Sequence, residues 1–371
     1  MIKVQSIIKR EFLLIIAIIG AIITTFFVPI DKNYLQYIDM RTLFSLFIFM
    51  AVIAAFKNIM VFRYSASIFL HKFNSTRKLV FALVFITFIF SMFIANDMAL
   101  LTFLPFTLTI FRNYKNTKLC MFTIVMQNIA ANLGGLLTPF GNPQNLFLYS
   151  YYHIPTLEFF KIMSVPFLIS IVLIILACFL VKDKVINNDI TFYPVPDKKK
   201  LFVYTSLFII AVLMVLRFMP FYVGVVLVIL ILLIIDFKAF KGVDYSLLFT
   251  FFAFFIFSGN LSRIPAISNL ISGLINSNVL LYATISCQFI SNVPTAILFS
   301  YLTPYELYPK LLLAVNIGGL GTLIASLASL ISFKAFIREY PGEGMRYFKM
   351  FTLINFSFLI VILILTSVIL F

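Results

Sequence analysis

Long apolar stretches dominate this sequence and limit what it can fold into. Hydrophobic residues make up 63% of the 371-residue chain, and charged residues make up only 11%. A soluble globular chain carries about 25% charged residues, whereas an apolar run of about 20 residues is long enough for one helix to cross a bilayer. The runs have the length of helices and not of the shorter strands of a membrane β-barrel. We therefore predict an all-α polytopic protein in the lipid bilayer of a plasma membrane, the inner membrane in a bacterium.

Some apolar stretches are too long for a single straight helix. The stretches cover residues 12–30, 42–56, 79–111, 119–152, 157–181, 201–216, 221–235, 245–262, 266–303, 307–332 and 347–371. The stretch 79–111 contains 33 residues and the stretch 119–152 contains 34, whereas about 20 residues cross the hydrocarbon core. Each of these two stretches must therefore be broken, re-entrant or partly outside the core.

Basic residues flank the stretch 79–111 on both sides. Arg77 lies shortly before it, and Arg112 and Lys115 follow it. Because cytoplasmic loops of membrane proteins are rich in lysine and arginine, both flanks are predicted to be cytoplasmic, and the stretch is predicted to be a re-entrant helical hairpin with its tip at 95–97. The same rule accounts for the net charge of +15, so no nucleic-acid partner is predicted.

The positive charges also orient the rest of the chain. If the stretch 266–303 is a second hairpin that enters from outside, 22 of the 28 basic residues lie on the cytoplasmic side of the membrane. The N-terminus is then predicted to be cytoplasmic and the C-terminus to lie outside. The six basic residues predicted to lie outside are Lys32, Arg41, Lys161, Arg217, Arg263 and Lys310.

Two segments of the chain resemble each other. Residues 132–145 read NLGGLLTPFGNPQN and residues 316–329 read NIGGLGTLIASLAS, with identical residues at five of the fourteen positions. Upstream, Asn96 in ANDMALL corresponds to Asn292 in SNVPTAI. Since the two hairpins are predicted to enter from opposite sides, we predict two inverted-topology repeats, which place a binding site near the midplane. The predicted units are a first repeat at 1–181 (hairpin 79–111, broken helix 119–152), a cytoplasmic linker at 182–200 and a second repeat at 201–371 (hairpin 266–303, broken helix 307–332).

The segment TPFGNPQN at residues 138–145 places two prolines, a glycine and four hydrogen-bonding side chains inside an apolar stretch. A continuous helix does not accommodate this composition well, and unwound backbone at membrane depth persists only where protein or a watery cavity satisfies it. The free carbonyls of such a break coordinate cations, and the N-termini of half-helices attract anions. The alternatives are a purely structural proline kink in this segment and helix capping by Asn and Ser at the two hairpin tips.

Asp97 is the only acidic residue that this topology buries at membrane depth. Intramembrane carboxylates are costly and usually functional, so Asp97 is predicted to couple ions, as a sodium ligand or a proton carrier, with helix capping as the alternative. An intramembrane enzyme would need clustered nucleophiles, histidines or carboxylates, and only this one residue qualifies. The sequence contains no metal-binding cluster and no phosphate-binding loop of the ATPase type, so no cofactor is predicted apart from sodium ions.

The motifs NLGGLLTPFGNPQNL, NVPTA and NIGGLGTLIAS resemble those of the ion transporter superfamily. That superfamily includes citrate and divalent-anion:sodium symporters, arsenite exporters and sodium/proton antiporters. The resemblance covers nearly the whole chain, and it implies a hairpin and a broken helix in each half, a homodimer and an elevator-like motion. The segment ANDMALLTFLP looks more like the arsenite-efflux branch, whereas TPFGNPQN looks more like the citrate branch.

The resemblance also implies which residues bind. In the dicarboxylate branch, Ser-Asn-Thr motifs at the two hairpin tips bind substrate carboxylates and sodium. These motifs fall here on Ala95, Asn96 and Asp97 and on Ser291, Asn292 and Val293, and the helix-break positions fall on Gly141, Asn142 and Pro143 and on Ala325, Ser326 and Leu327.

We therefore predict a secondary active transporter, and not an enzyme, for a small anion, either a carboxylate or an inorganic oxyanion, coupled to sodium or protons. The alternative is an arsenite exporter or a sodium/proton antiporter of the same fold. The predicted substrate-binding residues are Asn96, Asp97, Thr138, Asn142, Pro143, Asn145, Ser291, Asn292, Thr295, Thr322 and Ser326. The predicted ion-binding residues are Asn96, Asp97, Gly141, Asn292 and Ala325.

Overall fold

The structure is a computed structural model that describes residues 12–114, 116–185 and 192–371. In this part of the chain nearly all regular structure is helical and no β-strand occurs. The predicted cytoplasmic N-terminus, Lys115 and part of the predicted linker lie outside the described residues. The α-helices are α1 (Phe12–Phe27), α2 (Tyr34–Tyr37), α3 (Met40–Asn58), α4 (Val61–His71), α5 (Thr76–Ser91), α6 (Asn96–Tyr114), α7 (Thr117–Gly134), α8 (Pro143–Tyr151), α9 (Thr156–Phe179), α10 (Lys198–Val215), α11 (Phe221–Ile235), α12 (Tyr245–Arg263), α13 (Pro265–Ile290), α14 (Asn292–Ser300), α15 (Tyr308–Ile317), α16 (Leu327–Glu339) and α17 (Gly344–Leu370).

Several of these helices are long and apolar enough to cross a bilayer. Among the described residues they are α3, α9, α12, α13 and α17, and α1 and α11 are shorter apolar helices. Many of their leucine, isoleucine and phenylalanine side chains are exposed on the outer surface of the protein, as expected where lipid replaces water. The prediction of an all-α polytopic membrane protein is confirmed.

The first helical pair consists of α5 and α6, and it is followed by α7 and α8. The tip between α5 and α6 covers residues 92–95, and eight residues separate the end of α7 from the start of α8. Two local features interrupt the helix there. A Cβ atom at Gly135 would collide with the side chain of Asn142, and Pro143 occupies the first turn of α8, where a proline needs no hydrogen-bond partner.

The second half contains corresponding helices: the second helical pair consists of α13 and α14, and it is followed by α15 and α16. Ser291 separates α13 from α14 with a φ of 75°, and residues 318–326 separate α15 from α16. Helix α13 bends at Asn278, whose backbone is not helical. The side chain of Asn278 accepts a hydrogen bond from the backbone N–H of Leu281 (3.1 Å) and so starts a new helical segment in the way that an N-cap does.

The first and the second helical pair contact residues near opposite ends of helix α9. Its 24 residues correspond to a length of about 36 Å. Near its start, the Tyr152 hydroxyl donates to the carbonyl of Ser300 at the end of α14 (3.1 Å). Beyond its end, the Thr76 hydroxyl at the start of α5 donates to the carbonyl of Lys182 (2.7 Å). The second helical pair therefore ends at one end of α9, and the first pair begins at the other; these are named the Tyr152 end and the Thr76 end.

Several basic side chains make contacts near these two ends. At the Tyr152 end, Arg217 donates to the carbonyl of Tyr149 (2.7 Å). At the Thr76 end, the Nε of Arg77 donates to the carbonyl of Val181 (2.8 Å), and Arg112 lies 3.5 Å from Glu339. Arg77 and Arg112 thus lie at one end of the molecule and Arg217 lies at the other.

Candidate functional site

A small cavity lies where the two halves of the chain meet. Its volume is about 40 Å³, which is room for about three water molecules. The first residues of four helices line it, because α6, α8, α14 and α16 all begin at its wall. Its lining residues are Asn96, Asp97, Pro143, Gln144, Leu247, Thr250, Phe251, Phe254, Ser291, Asn292, Val293, Pro294, Ser326 and Leu327. The first N–H groups of a helix lack partners within the helix, so four partly positive ends point toward one small space.

The tips of the two helical pairs have the same local structure. The side-chain oxygen of Asn96 accepts a hydrogen bond from the backbone N–H of Asp97 at 2.9 Å. The side-chain oxygen of Asn292 accepts one from the backbone N–H of Val293, also at 2.9 Å. Both asparagines are buried, and each one organises the first turn of a helix that begins at the cavity.

The two helix breaks are also alike. Asn142 and Ser326 are both extended, with φ near −140°, directly before α8 and α16. In the first break the backbone N–H of Gly141 donates to the carbonyl of Thr138 at 3.2 Å, and the two residues at the same places in the second break make the same bond at 3.2 Å. The backbone therefore follows the same turn in both breaks, although only the first break contains proline.

A threonine ties each break to the neighbouring tip. The Thr138 hydroxyl donates to the carbonyl of Met92 (2.6 Å), and the Thr322 hydroxyl donates to the carbonyl of Gln288 (2.9 Å). Met92 and Gln288 each precede the tip asparagine of their half by four residues. The correspondence that the sequence indicates between the halves therefore extends to their hydrogen bonds.

Asparagines join the elements around the cavity. The amide nitrogen of Asn96 donates to the side-chain oxygen of Asn132 (3.1 Å). From the other half, the side-chain oxygen of Asn316 accepts from Gln144 (3.1 Å) and more weakly from Asn142 (3.4 Å). These buried bonds fix the start of α8 against the end of α15, so the two halves share one polar centre.

Some buried oxygen atoms at this centre have no hydrogen-bond partner. They include Oδ1 of Asp97 and Oε1 of Gln144 at the cavity wall, and Oδ1 of Asn142 beside it. A buried acceptor without a partner is costly, and a cation or a protonated ligand would satisfy it. In the ranges that the structure describes, no three His, Cys, Asp or Glu side chains gather as a metal site.

The structure separates the predicted site residues into two groups. The residues that line the cavity are Asn96, Asp97, Pro143, Ser291, Asn292 and Ser326. The others are absent from its wall and make hydrogen bonds within the breaks or, for Thr295, at the second tip; they are Thr138, Gly141, Asn142, Asn145, Thr295, Thr322 and Ala325. Asn145 is the clearest example, because its amide nitrogen lies 3.1–3.3 Å from three carbonyl oxygens of its own break.

Sequence reasoning missed several lining residues. Gln144 lies within TPFGNPQN, and its position directly after the proline that starts α8 was a usable signal. Thr250, Phe251 and Phe254 belong to α12, an apolar helix that contains neither a repeat motif nor a break. No pattern in the sequence indicates that this helix borders the cavity.

Comparisons with other proteins identify the family of this chain. The sequence model of the citrate transporter family matches residues 6–306. An uncharacterized transporter of Methanocaldococcus jannaschii is 36% identical over 301 residues, which are 80% of this chain and 81% of that protein. The inner membrane protein YbiR of Escherichia coli is 30% identical over 324 residues, which are 84% of each chain. The match covers most of the sequence and confirms the predicted superfamily, so this chain belongs to the citrate transporter family and is a multi-pass membrane transporter, not an enzyme.

Proposed function

We propose that the protein is a secondary active transporter of a small anion, a carboxylate or an inorganic oxyanion, driven by sodium or protons. The observation that carries this proposal is the convergence of four helix N-termini on one cavity. Helix N-termini attract anions through their free N–H groups and their dipoles. Among the described residues no lysine or arginine lines the cavity, so the helix ends supply the positive potential in this part of the chain. The volume of about 40 Å³ favours a small ligand in this conformation.

The coupling ion is proposed to bind beside the anion. Oδ1 of Asp97 has no hydrogen-bond partner and lies at the cavity wall, as does Oε1 of Gln144. A sodium ion or a proton at Asp97 would satisfy the carboxylate and reduce its repulsion of a bound anion. The bound cation would then strengthen binding of the anion, and the anion would strengthen binding of the cation by the same factor.

The two halves are proposed to be inverted repeats that work by an elevator-like motion. Three features support this proposal. The tips and the breaks of the two halves make matching hydrogen bonds. The two helical pairs contact residues near opposite ends of α9, and basic residues are found at both of those ends. The Thr76 end is proposed to be cytoplasmic, because it carries most of the basic residues. The C-terminus would then lie outside the plasma membrane, since the Phe371 ring packs against Lys310 and the neighbouring Tyr308 stacks on Tyr152. A homodimer is proposed from the superfamily resemblance.

The conformation is proposed to be one in which the cavity communicates with the cytoplasmic side. The lining residues Leu247, Phe251 and Phe254 follow one another along one face of α12. They extend from its first turn to its middle. That first turn follows Lys238 and Lys241, which belong to the side proposed to be cytoplasmic.

Flux into liposomes containing the purified protein tests the function. Citrate, succinate, sulfate, arsenite and sodium are offered one at a time, each with and without an imposed sodium or proton gradient. We expect accumulation of at least one anion against its gradient, driven by sodium or protons. If only sodium moves, in exchange for protons, the protein is an antiporter; the unpaired oxygens of Asp97 and Gln144 give that second candidate its support.

A pair of asparagine variants tests the location of the site. Asn292 and Asn278 each accept a backbone N–H bond near a helix start, but only Asn292 lines the cavity. We expect Asn292→Ala to lower flux about tenfold or more, because a lost ligand-binding hydrogen bond is worth about 1–3 kcal/mol. Asn278→Ala is the matched control and should transport like the wild type. Equal flux in both variants would place the transport site elsewhere.

A further inference from the structure

A second cavity lies at the Thr76 end, far from the polar centre. Its volume is about 400 Å³, and four parts of the chain form its wall: the start of α5, the junction of α6 and α7, the residues after α9, and α17. Its lining residues are Thr76, Tyr114, Asn116, Lys118, Leu119, Phe122, Leu180, Val181, Lys182, Lys184 and Met350. None of them lines the cavity between the helix N-termini.

One wall of this cavity is basic. Lys118, Lys182 and Lys184 line it, and within the described residues none of the three forms an ion pair. The backbone that carries two of them is fixed, because the Thr76 hydroxyl donates to the carbonyl of Lys182 (2.7 Å) and accepts from the backbone N–H of Lys184 (3.0 Å). The lysines are thus held around one space.

An acidic residue between these lysines does not cancel their charge. Asp183 is absent from the cavity wall, and its carboxylate accepts a hydrogen bond from the backbone N–H of Arg77 (3.3 Å). The neighbouring Ser75 hydroxyl, the backbone N–H of Arg77 and the charges of Arg77 and Lys78 hold the pKa of the Asp183 carboxyl below its usual value. The carboxylate therefore faces other cations, and the cavity keeps its positive potential.

Other lining residues are apolar, and this apolar lining continues onto the surface of the protein. Leu119, Phe122 and Met350 line the cavity. From its edge the exposed side chains of Leu180 and Leu176, which are 81% and 57% accessible, follow α9 toward the apolar part of that helix. A ligand with one anionic group and long hydrocarbon chains would match both the basic and the apolar lining residues, whereas a free anion would leave the apolar residues uncovered.

We propose that this cavity binds the headgroup of an anionic phospholipid, with the acyl chains lying along α9. Basic pockets between membrane helices bind anionic lipid headgroups through lysine, while the lysine stems pack on apolar surface. The site joins the start of the first helical pair to α7, α9 and α17. A bound lipid would therefore stabilise the helices around the polar centre without taking part in substrate binding.

Native mass spectrometry of the purified full-length protein tests the lipid site. The protein is titrated with phosphatidylglycerol or phosphatidylcholine, and the test variant carries Lys118→Gln, Lys182→Gln and Lys184→Gln. The control variant carries Lys198→Gln, Lys199→Gln and Lys200→Gln, three lysines at the start of α10 that do not line the cavity. We expect the wild type and the control to hold one phosphatidylglycerol about tenfold more tightly than the test variant does, since each lysine near an anionic surface contributes measurably.

Measurements on the wild type alone also test the lipid site, even if the test variant fails to fold. The wild type should prefer phosphatidylglycerol over phosphatidylcholine about tenfold, and millimolar inorganic phosphate should not displace the lipid. Equal binding of the two lipids, or equal loss of affinity in the test and control variants, would overturn the proposal. Displacement by inorganic phosphate would also overturn it, because the site would then be a free-anion site.

Discussion

Asn145→Ala should destabilise the protein by disrupting the first helix break. The amide nitrogen of Asn145 is fully buried and lies 3.1, 3.3 and 3.2 Å from the carbonyl oxygens of Gly135, Leu136 and Thr138. An amide group has two N–H hydrogens, so it provides two full bonds among these three acceptors. Each buried carbonyl left without a donor costs about 1–3 kcal/mol, so the substitution should reduce the free energy of unfolding by about 2–6 kcal/mol.

The corresponding residue of the second half is a matched control. Ser329 is equally buried, but its hydroxyl contacts the Ser326 hydroxyl (3.0 Å) and holds no carbonyls of its break. Ser329→Ala should therefore cost only about 0.5–1.5 kcal/mol. Asn145→Asp keeps the shape of the side chain and loses the N–H donors, so it should be at least as unstable as Asn145→Ala.

Thermal unfolding in detergent measures these differences. The chain has no tryptophan, but its three cysteines, Cys120, Cys178 and Cys287, are buried and free. A thiol-reactive fluorophore therefore reports unfolding without any engineered label. We expect the lowest unfolding temperatures for the two Asn145 variants and a near-wild-type value for Ser329→Ala. If Asn145→Ala unfolded at the wild-type temperature but lost flux, the result would refute this reasoning and indicate that Asn145 is a binding residue.

Three further predictions concern other parts of the molecule. Asp97→Asn should abolish accumulation driven by an ion gradient while anion exchange persists, and unchanged ion dependence in liposome flux would contradict a coupling role. A cysteine at Lys72 should react with a membrane-impermeant reagent only from the cytoplasmic side and one at Lys310 only from outside; labelling from the same side would remove the inverted topology. Arg263 donates to Asp31 (2.7 Å) and holds the pKa of that carboxyl below its usual value, so the pair stabilises the protein at neutral pH and loses this effect as the pH falls through the lowered pKa. The unfolding temperature of Asp31→Asn should therefore lie below that of the wild type at neutral pH and approach it in acid; a pH-independent difference would exclude the ion pair as the cause.

The breaks and tips were readable from the sequence because polar residues, glycine and proline stand out in apolar stretches. Gly135 and Pro143 limit α7 and α8 for steric and hydrogen-bonding reasons that act within a few residues. The asparagine tips share this local origin, since each one starts its own helix. Local signals of this kind depend little on the rest of the fold.

Features that depend on the fold were not readable in the same way. The sequence marks Asn145 and Gln144 equally, but only the folded break shows that the first faces its own carbonyls while the second faces the cavity. The bend at Asn278 was missed because a single asparagine before an apolar run does not by itself interrupt a predicted helix. Thr250 lines the cavity because of the way α12 packs, and no sequence motif indicates this packing.

Protection of a single cysteine by substrate tests most directly whether the cavity between the four helix N-termini is the transport site. Val293 lines that cavity, and Val293→Cys changes the side-chain volume little; Lys118→Cys, in the second cavity, is the control. The rate of thiol labelling is measured in liposomes with and without the accumulated anion and its coupling ion. The account predicts that both ligands together slow labelling of Val293→Cys several-fold and leave the Lys118→Cys rate unchanged. An unchanged rate for a transport-competent Val293→Cys at saturating ligand would contradict it.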